Sequence, residues 1–508
     1  MKRFLSLMLA AMMLLGLASV GMAAEAPIEI SLYYSDNATL PFRPDWPMFV
    51  AIQERFNVKL NLEPIPIADF GTKVGLALST GQNAPDVILN TSTGGANASH
   101  ALNGAVVAIS DYPDWTPNFN ARVAEFGLEQ NVRNLELGNG KRYFMPALYD
   151  KPFYDGGLIL REDFLAAKGL EAPKTYDDLY NILKAYKEEF PDSFPLTTIV
   201  APRVLYRMTM PSFGMSVGLN SATGTNTLSW NYETGDYFAG AISEEYKAYA
   251  AYLNKLLSEG LLDPEMIQDG TSTAQKLATG AAMATYGYYD QIGGWEQGST
   301  IEGLKLQMYP PLEGPGGAHH QPKNPTAGGI LFPINTASRP DFEQVVRKID
   351  EVFFSEEAAK IWCIGLEGVT YTMDGDTIVY NDEILASKDG IYKYMQNAYG
   401  CGADGLQLVW YNAREMTKYD ENYARINAEV AAMDNAIQYI PPTPSFDDLT
   451  AEDASLLQTT LSDTFEIWND DFIYGKKSLE TDWDAYVQEM KDKGIEDFLK
   501  LYNDNKKL

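Results

Sequence analysis

Ile28-Glu29-Ile30-Ser31-Leu32-Tyr33-Tyr34 alternates in polarity and is rich in β-formers, so it reads as a strand. A helix is expected over about Trp46 to Phe56, a second strand over Val58 to Leu62, and a second helix from Asp69 to Thr80. Pro85-Asp86-Val87-Ile88-Leu89 then reads as a short buried strand. This strand–helix alternation predicts an α/β lobe built on a largely parallel sheet. Such sheets take ligands beyond the carboxyl ends of their strands. The loops after the first and third strands, Ser35-Asp36-Asn37 and Thr91-Ser92-Thr93-Gly94-Gly95, are therefore expected to face a cleft.

The same signals continue outward from this stretch. Leu158 to Leu160 reads as a strand leading into a helix that Gly169 stops. Thr175 and Asp178 form a capping box, and Leu179, Ile182, Leu183 and Tyr186 share one face of the helix that follows. A helix from about Glu244 to Leu257 ends at Gly260, and the turn-rich stretch Leu304 to Pro325 reads as a crossing between lobes. Phe342, Val345, Val346, Ile349, Val352 and Phe353 line one helix, and Ser355 restarts another through Trp362. In the tail, Thr481 is expected to cap a helix together with Asp484. Trp483, Tyr486, Val487 and Met490 form its apolar stripe, and Gly494 ends it. A chain of 508 residues exceeds one small core, so two lobes are expected.

Lys2-Arg3, an apolar run from Phe4 to Val20 and small residues up to Ala24 have the three parts of a secretory signal peptide. Residues 1–24 are read as that segment, with cleavage after Ala23 or at a site one or more residues later. No cysteine stands near this site, so lipid attachment there is not expected, and the mature protein is read as exported, periplasmic or extracellular. Its 69 acidic residues against 39 basic ones, a net charge of −30, disfavour nucleic acid and anionic membranes as partners. Cys363 and Cys401 leave two readings open, a disulfide bridge or packed thiols. His100, His319 and His320 have no zinc spacing, and no phosphate-cradling glycine motif is present, so no metal or cofactor is expected. Gly214-Met215-Ser216-Val217-Gly218 matches a nucleophile pattern but lacks the strand before it and the helix after it that the chemistry needs.

Several phrases carry a family resemblance, in order along the chain. They are Asn139-Gly140-Lys141-Arg142-Tyr143-Phe144-Met145-Pro146, Leu160-Arg161-Glu162-Asp163-Phe164-Leu165 and Gly169-Leu170-Glu171-Ala172-Pro173-Lys174-Thr175. Glu259-Gly260-Leu261-Leu262-Asp263-Pro264, Gly365-Leu366-Glu367-Gly368-Val369-Thr370-Tyr371 and the tail from Ile473 to Ile495 follow. In these the chain resembles family 1 extracellular solute-binding proteins, in the long branch that includes alginate-binding proteins and oligosaccharide binders. The resemblance implies two α/β lobes, each with a largely parallel sheet flanked by helices, closing on a solute about several crossings. By analogy the first lobe holds residues 26–154 plus 326–370 and the second holds 155–325 plus 371–508. Alginate binders of this branch often carry a calcium loop where this chain reads Lys187 to Pro195. The alternating oxygen ligands and the bend glycine are missing here, so no calcium is expected there.

Sugars present hydroxyl edges and apolar C–H faces, so a sugar cleft calls for carboxylates, amides and stacking rings. Asp36, Asn37, Ser92 and Thr93 are first-lobe candidates because they follow strand ends, although such residues also build turns. Tyr288, Tyr289 and Trp295 lie in a Gly-rich stretch where, by the resemblance, a stacking aromatic is supplied. Trp410 is a second platform candidate. Trp46 reads first as packing a helix start but follows the first cleft loop, and Glu367 stands beside a lobe crossing. Arg203 and Tyr206 are candidates from the second lobe. The expected function is a non-catalytic, monomeric receptor that captures an oligosaccharide and delivers it to the permease subunits of an ABC importer. A peptide or polar-solute receptor and a secreted glycan-active enzyme are the alternatives.

Overall fold

Alternation in the first strand has a direct packing consequence. Ile30, Leu32 and Tyr34 enter one hydrophobic core while Tyr33 enters another on the opposite face of the sheet. The computed structural model describes residues 26–506 except 39, 93–95, 151–155, 199–200, 216–226, 268–272, 320–324, 388–390, 404, 412–416, 419–443 and 445. The expected signal segment and Thr93 thus lie outside the described residues.

Ten strands build the two main sheets: β1 (Ile28–Asp36), β2 (Val58–Pro66), β3 (Val87–Thr91), β4 (Phe144–Tyr149), β5 (Gly156–Arg161), β6 (Leu196–Thr198), β7 (Ala284–Tyr288), β8 (Leu306–Tyr309), β9 (Thr326–Leu331) and β10 (Val409–Trp410). The first sheet has the order β10-β4-β9-β3-β1-β2, and the second β8-β5-β7-β6. In the first, β1 pairs in parallel with β2 and β3, as the strand–helix alternation predicts, and β10 also runs parallel to β4. Strand β9 departs from that pattern, running antiparallel to both β3 and β4. It is the return limb of the excursion that leaves the sheet after Tyr149, so it enters at the end where β4 exits. The second sheet is mixed as well. β5 runs against both neighbours, and only β6 and β7 are parallel, so "largely parallel" does not describe this lobe.

Each sheet has its own core. The second-lobe core gathers β5, β7 and the helices Tyr176–Glu189, Glu244–Ser258, Asp448–Ile473 and Trp483–Asp492. The first-lobe core takes in Ile378, Tyr380, Met395, Cys401, Leu408 and Val409, residues that the sequence reading placed in the second lobe. The reason is β10, whose pairing with β4 pulls the segment before it onto the first sheet.

Local signals resolve as their chemistry dictates. The capping box is present, with the Asp178 amide donating to the Thr175 hydroxyl at 3.1 Å and the Thr175 amide to the Asp178 carboxylate at 2.9 Å. Gly494 adopts φ +93° between the helix Trp483–Asp492 and the helix Ile495–Asp504. The tail helix, however, starts at Trp483 behind Asp482, without the expected Thr481 cap. The Asp482 carboxylate accepts instead from the Ser478 amide at 2.7 Å and ties down the turn before the helix.

Candidate functional site

Strand register places one end of each sheet at the chain crossings. In the first sheet Asp36 pairs with Pro66, Gly329 with Thr91, Thr326 with Leu148, and Trp410 with Tyr149. The carboxyl ends of β1, β3, β4 and β10 therefore form one edge. The chain leaves it toward β5 and returns to it at β9. Four strand spacings separate Trp410 from Asp36, a row about 20 Å long. In the second sheet Gly156 pairs with Tyr288 and Thr198 with Tyr286, so Tyr288 and Tyr289 stand at the corresponding end. A Cβ at Gly156 would lie 2.1 Å from the Gly287 carbonyl oxygen, so the entry into this sheet admits no side chain.

At the β10 end of the row, three rings stack. Trp410 lies 5.3 Å from Tyr149 at an interplanar angle of 17°, and 6.2 Å from Tyr392 at 28°. Its indole N–H donates to the Gln407 carbonyl at 3.1 Å, and the Tyr392 hydroxyl donates to the Gly402 carbonyl at 2.7 Å. These two bonds fix the turn around Gln407 against the rings. Trp410 and Tyr392 stay half-buried, which leaves ring surface at the edge. The Asp150 amide donates to the Trp410 carbonyl at 3.1 Å, holding an acidic residue beside the stack. Burial pushes the neighbouring Cys363 thiol up to about 12, and the charge of Asp150 adds to the rise. Cys363 and Cys401 are free thiols: Cys363 points to the Tyr411 carbonyl and Cys401 to that of Ile361.

Of the sequence candidates, the row collects Asp36, Asn37, Ser92 and Trp410. Asp36 accepts from the Phe42 amide at 2.7 Å and so closes the loop after β1, in which Asn37 bridges Leu40. The Ser92 carbonyl accepts from the Asn97 side-chain NH2 at 3.0 Å. Tyr288 and Tyr289 are half-buried on the second lobe, with the Arg207 guanidinium 6.0 Å from the Tyr288 ring centre. Arg203 lies in the helix Ala201–Thr209, which follows β6.

Four candidates fall elsewhere. Trp46 is fully buried in the first core, its indole N–H donating to the Asn397 carbonyl at 3.0 Å. Tyr206 is buried in the second core, where its hydroxyl accepts from Asn469 at 3.0 Å. Trp295 sits in the helix Ile292–Gln297 and is buried, because Gly293 and Gly294 continue into a helical turn rather than an open loop. Glu367 is exposed beside Tyr371. Burial raises the Tyr371 hydroxyl, and the Glu367 charge adds to the rise while Arg55 opposes it. Arg55 ends the helix that starts at Pro47, at the β2-entry end, so Glu367 is at the opposite end of the lobe from the row.

Sequence reasoning missed Tyr149, Asp150, Tyr392 and Gln407. Tyr149 ends a wholly buried apolar strand and Asp150 follows it, and the only local signal was the polar break at Asp150. A polar groove of about 790 Å³ lies apart from the row, between the helix Glu244–Ser258 and the turn Gly475–Asp482. Its lining includes Lys247 and Lys477, whose ammonium groups lie over the Trp483 and Trp468 rings, and no indole lines the groove itself. Among the described residues no cluster of three or more His, Cys, Asp or Glu side chains could hold a metal ion. No helix of these residues is long and apolar enough to cross a membrane.

Two α/β lobes whose sheets turn one end toward shared crossings define a two-lobed binding-protein fold. The chain belongs to the bacterial extracellular solute-binding proteins, whose family model matches residues 48–339. It is 22% identical over 330 residues to the polygalacturonan/rhamnogalacturonan-binding protein YtcQ of Bacillus subtilis (strain 168), a match covering 64% of this chain and 63% of that relative. Among solved structures, the alginate-binding protein AlgQ2 without calcium ion superposes with a TM-score of 0.74 at 17% identity, covering 95% of this chain and 98% of the other. The S. pneumoniae substrate-binding protein FusA in complex with kestose gives 0.71 at 16% identity, covering 94% and 98%. At these identities the structural likeness concerns the fold alone.

Proposed function

We propose that the protein is the exported, non-catalytic receptor of an ABC importer, capturing an oligosaccharide between its lobes and handing it to the permease. The observation that carries this reading is the stack of Tyr149, Trp410 and Tyr392 at one end of a row of polar strand termini. Rings offer apolar faces to sugar C–H groups, and the polar termini offer partners to hydroxyls. The length of the row suits several sugar rings rather than one. Binding that bridges both lobes favours the closed form, a population shift with no bond made or broken. The names of YtcQ, AlgQ2 and FusA all speak of saccharide ligands or bound sugars and support the same class.

The test is a thermal-shift screen of the mature protein against kestose, oligogalacturonates, alginate oligomers and peptides, with chemical analysis of each hit. Stabilisation by a saccharide recovered intact is expected. A shortened saccharide overturns the non-catalytic part, and stabilisation by peptides alone overturns the sugar class. N-terminal sequencing of the protein recovered outside the cytoplasm checks export, with a start at Ala24 expected.

A further inference from the structure

Five buried side-chain atoms among the described residues have no hydrogen-bond partner in the protein: Arg122 Nε, Thr227 Oγ1, the Tyr286 hydroxyl, Gln291 Oε1 and Gln407 Oε1. Arg122 keeps other partners, the Tyr411 hydroxyl and the Glu125 carboxylate, and the Tyr286 hydroxyl faces Tyr176. The two glutamines differ from these in where they stand. Gln407 belongs to the turn whose carbonyl receives the Trp410 indole N–H, it is 3% exposed, and its carboxamide meets the Cys363 thiol while the Oε1 atom stays without a donor. Gln291, half-buried as a residue, ends the short turn Tyr289–Gln291 that follows β7, two positions after Tyr289. Each lobe thus holds one orphaned carboxamide oxygen beside its own aromatic residues at the crossing end of its sheet.

A buried amide oxygen without a donor destabilises the fold that contains it. An apolar side chain of similar length would pack there without that cost. We infer that Gln407 is a ligand-orienting residue, with Gln291 as its counterpart on the second lobe. A rotation about χ3 or χ2, which for Gln407 also means leaving the Cys363 thiol, would bring the orphaned oxygen to a saccharide hydroxyl that donates to it. Two such carboxamides, one on each lobe, would read the orientation of a neutral hydroxyl pair, something the stacking rings, tolerant of rotation about their normal, do not do. This rests on the oligosaccharide reading above.

The experiment compares the wild-type protein with Gln407→Leu, Gln407→Met and Gln291→Leu, using kestose and an oligogalacturonate as probes. Two quantities are read: the melting temperature without saccharide, and the dissociation constant by calorimetry. The expected result is an unchanged or raised melting temperature in the absence of saccharide, with affinity weakened about tenfold or more, the loss of one ligand hydrogen bond to a buried partner. A clear fall in melting temperature for both Gln407 variants makes the amide structural and overturns the inference. Undiminished affinity in the variants for a probe that the wild type binds overturns it too. Failure of the wild type to bind either probe counts instead against the oligosaccharide reading, a result separate from the other two.

Discussion

The Trp410 ring stacks on Tyr149 at 17° from parallel because their two strands are neighbours in register, Val409 beside Leu148 and Trp410 beside Tyr149. A two-residue strand from late in the chain thus completes the edge of a sheet whose other strands come mostly from its first third. The stacked pair occupies the point where the chain leaves the first lobe, which makes it the natural first target for substitution.

Replacing Trp410 with Ala is expected to weaken saccharide binding by about 1–3 kcal/mol, roughly five- to 150-fold, while the fold persists because the ring is only half-buried. Calorimetry with the saccharide found in the screen measures the loss, and circular dichroism checks the fold. Unchanged affinity would remove Trp410 from the site.

Trp46 and Trp295 should behave in the opposite way. Both are buried, so truncation to Ala removes packing, at about 3–5 kcal/mol for a fully buried ring and less at the partly covered Trp295. Urea unfolding curves of the two variants should shift to lower midpoints. A Trp295→Ala protein of wild-type stability that had lost saccharide affinity would return Trp295 to the site.

The capping box supplies a pH test. Hydrogen bonds from the Lys174 and Thr175 amides hold the Asp178 carboxyl below its ordinary value of 3.8. A folded value below the unfolded one means that the stabilisation is complete above the ordinary carboxylate range and disappears as pH falls through the folded value. Asp178→Asn should therefore lower stability at pH 7 and hardly at all near pH 2. A deficit of equal size at both pH values would show that the charge is irrelevant to the cap.

The thiols should be inert in the native state. Burial raises Cys363 to about 12 and Cys401 well above its ordinary value, so the nucleophilic thiolate is scarce at pH 8. Iodoacetamide is expected to leave the native protein unlabelled over minutes and to label two thiols after denaturation. Recovery of no thiols in the denatured protein without reductant would mean that the two cysteines are bridged.

Without the structure, the chain already determined what depends on near neighbours. Polarity alternation in Ile28–Tyr34, the box at Thr175 and Asp178, and the stop at Gly494 are local, because period and capping act within a few residues. The carboxyl-end rule likewise pointed to Asp36 and Ser92. Tertiary structure alone decided which aromatic residues reach the edge. Trp46 and Tyr206 look in sequence as available as Trp410, yet they are enclosed by Gly400 and by Asn469, partners far along the chain. The direction of β9, the transfer of Ile378 to Val409 to the first lobe, and the meeting of Tyr149, Tyr392 and Trp410 all follow from pairing over long separations. Local sequence carries no record of such pairing, because its free energy comes from surfaces that meet only when distant segments come together in the folded chain.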